Sequence, residues 1–117
     1  MILEIVTFNF PAGHDRDKEL EAVRGVTAKW AANKDLVRKQ FLWGVGEAEG
    51  TGAGVYVWPS IEAAEKAHGE EWFEAVKKRT GAYPTIRYFD MLAEVDNKHG
   101  TVTEWAADGT AREIVTA

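Results

Sequence analysis

Two polar side chains sit among apolar neighbours where they could do chemistry. Asn9 stands near the end of the apolar run from Ile2 to Phe10. Facing a pocket, its amide can donate a hydrogen bond to a substrate oxyanion, while facing its own chain it bonds backbone at the strand end. His68 falls in register with Ala64 and Trp72 on the apolar side of a helical stretch. An imidazole there can accept a proton near neutral pH, or rest as a structural residue beside the bend that Gly69 suggests. The chain carries five Trp, five Phe and three Tyr in 117 residues. Of these, Trp43, Tyr56, Trp58, Trp72 and Phe73 can line a flat apolar pocket for an aromatic ligand or fill the core.

Other chemistries lack their residues. There is no Cys, hence no disulfide or thiolate. His14, Asp15 and Asp17 lie close in sequence, but no third strong ligand is nearby and a helix start favours acids, so no metal site is expected. The glycines between Gly44 and Gly54 belong to a hairpin rather than a strand-to-helix turn, which excludes a phosphate loop. Ser60, the only serine, reads as a helix cap, and His99 as part of an exposed turn. The net charge is −5, and the basic residues come in small groups with acids nearby. Arg38 with Lys39 reads as a solvated strand edge, and Lys77 to Arg79 as a solvated helix end. No nucleic-acid partner is expected. The N-terminus lacks a basic segment and its apolar run stops near Phe10. It reads as neither a signal peptide nor a membrane span, and a cytoplasmic location is expected.

The elements that must position these residues follow from periodicity. Ile2 to Phe10, rich in β-branched and aromatic residues, predicts strand one. From Asp15 or Asp17 to Ala32, with Leu20, Val23, Val26 and Trp30 on one face, the spacing predicts a helix weakened by Gly25. Leu36 to Glu47 and Ala53 to Trp58 predict an antiparallel hairpin. A second helix starts at Ser60 and ends before Gly81 and Pro84. Tyr83 to Val95 predicts strand four. Thr101 to Trp105 and Ala111 to Thr116, around Asp108 and Gly109, predict a C-terminal hairpin packed on the body or on a partner, with Trp105 as its anchor. Residues 1–95 are thus one domain and 96–117 an extension.

The order β-α-β-β-α-β predicts an α+β, ferredoxin-like fold: an antiparallel sheet with both helices on one face. The strands are apolar on both faces. Leu3 and Ile5 oppose Val6 and Phe8, and Val55 and Val57 oppose Tyr56 and Trp58. The expected cover for the second face is another copy of the chain, giving a homodimeric α/β barrel. The alternative is a monomer covered by the C-terminal hairpin.

Phe41, Leu42 and Trp43, the stretch from Gly54 through Tyr56, Trp58 and Ser60 to Ala64, and the strand end at Phe8, Asn9, Phe10 and Pro11 resemble the dimeric α/β-barrel proteins that include the antibiotic-biosynthesis monooxygenases, and among them the small YdhR-like group. The resemblance spans roughly residues 1–95. It implies a pocket between sheet and helices and, in some members, oxidation of aromatic polyketide-like substrates by O2 without metal or flavin. In those members an Asn and a Trp near the pocket assist, positions that Asn9 and Trp58 could match. Members that degrade haem use a His late in helix two, where this chain has Val76, Lys77, Lys78 and Arg79, so haem degradation is not expected. The resulting expectation is a cofactor-independent monooxygenase acting on a small aromatic molecule. In it Asn9 stabilises the substrate anion, His68 accepts the proton, and Trp58 and Trp72 stack. The alternative is a dimer that binds a small hydrophobic ligand without chemistry.

Overall fold

The computed structural model describes residues 1–114. Four strands, β1 (Ile2–Asn9), β2 (Arg38–Trp43), β3 (Thr51–Trp58) and β4 (Thr85–Asp90), form an antiparallel sheet in the order β2-β3-β1-β4. This is the expected α+β, ferredoxin-like arrangement. Among the described residues no helix is long and apolar enough to cross a membrane.

Each expected helix is broken in two. The first divides into α1 (Arg16–Arg24) and α2 (Thr27–Ala31). Asp15 caps α1 by accepting from the Lys18 N–H, and Gly25 closes it with a bond to the Ala22 carbonyl. The β-branched Val26 then sits outside helical geometry at φ −122°, so the chain restarts one turn later and carries Trp30 into the core. The second divides into α3 (Ile61–Ala67) and α4 (Glu70–Thr80). Ser60 caps α3 as expected, accepting from the Ala63 N–H at 3.2 Å. His68 leaves the helix at φ −111°, ψ 65°, and Gly81 ends α4 in the left-handed region at φ 93°.

Pairing register fixes the two faces of the sheet. Glu4 lies opposite Tyr56 and Tyr88, and Val6 opposite Gly54 and Ile86. With Trp58 and Phe41, these residues form the covered face, where Val6, Trp30, Tyr56, Trp58 and Ala64 make the core. Leu3, Ile5, Thr7 and Asn9 point the other way, with Val55, Val57, Leu42 and Phe89.

The expected fourth strand does not run to Val95. It breaks at Met91 and Leu92, and β5 (Ala93–Asp96) pairs with β6 (Thr101–Trp105), which pairs with β7 (Ala111–Ile114) in a second sheet. The expected hairpin around Asp108 and Gly109 is present. Its last expected residues, 115 and 116, lie outside the described residues. The Met91 N–H to Met1 carbonyl and Trp105 N–H to Leu92 carbonyl bonds tie this sheet to the body. Arg38 and Glu94 lie 3.8 Å apart, which carries the tail across one end of the outer face, where Val57 is buried. The rest of that face stays open: Leu42 and Phe89 are 45% and 42% exposed. The tail also makes the chain long. Its radius of gyration is 15.9 Å, against about 13 Å for a compact chain of this size.

Candidate functional site

The most deeply buried charged residue is Glu4, at 0% exposure in the middle of β1. Its Oε1 accepts from Trp58 Nε1–H at 2.9 Å and lies 2.8 Å from His68 Nε2. Trp58 belongs to β3, directly beside β1, and His68 to the break between α3 and α4, so both donors come from distant parts of the chain. An indole nitrogen can only donate, which makes this oxygen an acceptor, and the His68 ring donates to it through Nε2–H in the arrangement that leaves no clash of protons. Among the described residues, Glu4 Oε2 and His68 Nδ1 have no hydrogen-bond partner. The Glu4 charge reaches further. Tyr88 is pushed up to about 12, by burial first and by the carboxylate second. Tyr56 is raised further still, for the same two reasons in the same order.

Aromatic rings pack around this pair. His68 lies 3.9 Å from the Trp72 ring centre, 5.0 Å from Tyr56 and 5.7 Å from Trp30. Tyr56, Trp72 and Trp30 then form part of the wall of a cavity of about 500 Å³ between sheet and helices, with Val6, Phe8 and Phe41. This is the helix-side cavity implied by the resemblance, and its size suits a drug-sized or smaller ring system.

The polar groups in that wall are not those named from the sequence. Lys39 projects from β2 onto the covered face, with Nζ 3.5 Å from the Tyr56 ring centre, 4.1 Å from Phe41 and 5.1 Å from Trp30. The reading of Lys39 as a solvated strand edge is therefore wrong. The alternation that puts Phe41 and Trp43 on the covered face puts Lys39 there too. Burial pulls its amine down to about 7, against the opposing pull of the Glu4 carboxylate. Gly54 makes room for it, since a Cβ at that position would stand 3.0 Å from Nζ and 3.0 Å from Tyr56 Cε1. Arg79 stays exposed at the helix end, as expected, but is not idle there. It donates to Glu19 at 2.6 Å, lies 5.3 Å from the Phe8 ring centre, and joins Glu19 in the cavity wall. His14 bonds the same Glu19 oxygen at 3.0 Å.

The structure brings Trp58 and His68 together on Glu4, with Tyr56 and Trp72 beside them. Phe73 packs edge-on against Trp72 at 5.0 Å, and Trp43 stacks on Phe10 at 4.8 Å away from the Glu4 pair. Asn9 does not join them: it is exposed, paired with Thr51 on the opposite face of the sheet. Among the described residues no group of three or more His, Cys, Asp or Glu side chains could hold a metal ion.

No protein-family model matches the chain, and neither does any curated protein. Solved structures do. One is an antibiotic biosynthesis monooxygenase, with a TM-score of 0.58, 16% identity, and coverage of 77% of this chain and 97% of the other. Another is from Bordetella bronchiseptica and is named for the same activity. It has a TM-score of 0.58, 18% identity, and coverage of 76% and 94%. At these identities the likeness establishes the fold.

Proposed function

We propose that the chain is a cofactor-independent monooxygenase of a small aromatic or polyketide-like compound bound in the helix-side cavity. The observation that carries this reading is a cavity walled by Trp30, Tyr56, Trp72 and Phe41 with the Lys39 amine set among three of the rings, while Lys29 reaches only the edge of the wall at Trp30. Flat apolar walls favour a fused-ring ligand, and the amine favours a ligand that becomes an anion there. The names of the two similar structures agree with this chemistry.

In this reading the substrate loses a proton from an activated CH2 group. The carbanion reacts with O2 to give a hydroperoxide, and loss of water leaves a carbonyl. One O2 is consumed, with one oxygen atom in the product and the other in water. Lys39 takes the role of meeting the anion that the sequence suggested for Asn9, and in its neutral form it can also take the proton. His68, held by Glu4, is a positioning residue that fixes the rings of Trp72 and Tyr56.

The protein acts as a homodimer in this proposal. Leu42 and Phe89 on the open part of the outer face, with Leu92 and Val95 at 77% and 66% exposure, offer apolar surface that a second copy would cover.

The test is oxygen uptake with a panel of hydroxyanthrone-like substrates. Uptake matched one-to-one by carbonyl product is expected. Lys39→Met should lower it at least tenfold, and Asn9→Ala should leave it within about twofold. No uptake above blank across the panel would favour the second reading, a dimeric module that binds a small hydrophobic ligand. One observation supports that reading: the acid–histidine pair is sealed, with side chains 0% and 1% exposed, rather than presented to a ligand.

A further inference from the structure

We propose that Lys39 makes the cavity a carbonyl-capture site, in which its amine forms an imine with an aromatic aldehyde or ketone seated against Trp30, Tyr56 and Phe41. This does not depend on the oxygenase reading and would hold for a binding module as well.

The geometry has three parts. First, Nζ lines the cavity and lies among ring faces at 3.5, 4.1 and 5.1 Å. Among the described residues it makes no salt bridge within 4.0 Å; of the other two cations of the wall, Arg79 is taken up by Glu19 and Lys29 is exposed, with a single ring, Trp30, beside it. An unpaired amine in an apolar cage keeps its lone pair available when neutral. Second, Gly54 leaves the flank of the amine open, because a side chain there would begin 3.0 Å from Nζ. Third, the ring walls suit an aryl carbonyl compound, holding its plane while the carbonyl carbon reaches the nitrogen. Burial supplies the neutral form. With its pKa at about 7, half of Lys39 is free amine at pH 7, against about 1 in 3,000 for an ordinary lysine.

The step balances without any further reactant. Nitrogen attacks the carbonyl carbon, forming a C–N bond, and a proton moves from nitrogen to the oxygen. The carbinolamine then expels water, leaving C=N in place of C=O. Water reverses it.

The experiment uses the full-length chain with 2-naphthaldehyde and cyanoborohydride at pH 7, followed by digestion and mass spectrometry. Lys39 is expected to carry the reduced adduct at least tenfold more than any other lysine. The preference for Lys39 over the other lysines should be greatest near neutral pH and fall as pH rises toward about 10, where ordinary amines also lose their protons. Lys39→Arg keeps a cation in the cage and should remove the selective label while circular dichroism stays that of the wild type. Even labelling across the lysines would overturn the proposal, as would preferential labelling elsewhere. Because labelling is read on the wild type, the result stands even if the variant folds poorly. Selective labelling without oxygen uptake would uphold this site while removing the oxygenase reading.

Discussion

Replacing Trp58 by Phe tests the buried centre most directly. The change removes one N–H donor, at 2.9 Å from Glu4 Oε1, and keeps an aromatic ring in the core. A hydrogen bond to a charged acceptor contributes about 1.5–3 kcal/mol, and a neutral one about 0.5–1.5 kcal/mol. The smaller ring adds a packing loss that hydrogen-bond arguments do not cover. A double-mutant cycle with Glu4→Gln separates the two, because the packing loss occurs in both backgrounds while the charge is present in only one. Trp58→Phe alone should cost at least ~2 kcal/mol, and the coupling between positions 4 and 58 should be about 1 kcal/mol. With an unfolding entropy near 2.1 cal/mol/K per residue, a chain of this length loses about 4 °C of Tm per kcal/mol, so the single variant should melt roughly 8 °C lower. The assay is urea unfolding followed by far-UV circular dichroism, since tryptophan fluorescence is altered by the substitution itself. Protein concentration must be the same throughout because a dimer would link stability to it. A coupling within about 0.3 kcal/mol of zero would refute the reasoning, since it would mean that the indole and the carboxylate do not feel each other.

Two further outcomes follow from the same geometry. Lys39 titrates at about 7 when folded and near 10.5 when unfolded, so between these values the unfolded chain binds more protons and stability rises with pH. Lys39→Met should therefore be more stable than the wild type at pH 7, with the gap narrowing by pH 9.5 in urea midpoints; a constant gap would show a solvated ammonium. On the outer face, Phe89→Glu places a charge on the surface assigned to the second copy, and light scattering should show a shift from dimer toward a 13.0 kDa species. Wild type and variant both running as monomers would end the dimer proposal.

Much of the frame was legible because it rests on local chemistry. Ser60, Gly81 and the Asp108–Gly109 turn act through their immediate neighbours, and the alternation along the strands gave both faces of the sheet. The same alternation already held the centre of the site. Glu4 lies two residues from Ile2 and from Val6, which puts an acid on the covered face. Lys39 lies two residues from Phe41, and Asn9 shares its face with Thr7, Ile5 and Leu3. Both charges interrupt the apolar alternation of their strands, so register rather than hydropathy places them on the covered face. Gly25 and the bend at Gly69 already marked where the two helices divide, although helical spacing continues through both. The break at Met91 was less accessible, because it depends on where the tail finds partners across the molecule.

Burying a carboxylate is costly unless it is paired and hydrogen-bonded, and Glu4 meets both Trp58 and His68. The Glu4 charge adds to the burial that raises the phenols of Tyr56 and Tyr88, and it opposes the loss of the Lys39 proton that burial promotes. Without that charge, Lys39 would be pulled lower still and would lose the balance between ammonium and amine at neutral pH. The break at His68 serves the same end. A continuous helix would turn the imidazole along its own axis, whereas the break lets the ring reach Glu4 and lie against Trp72. Glu4 thereby moderates the larger effect of burial on the Lys39 amine, and the broken helix is the means by which His68 reaches that carboxylate.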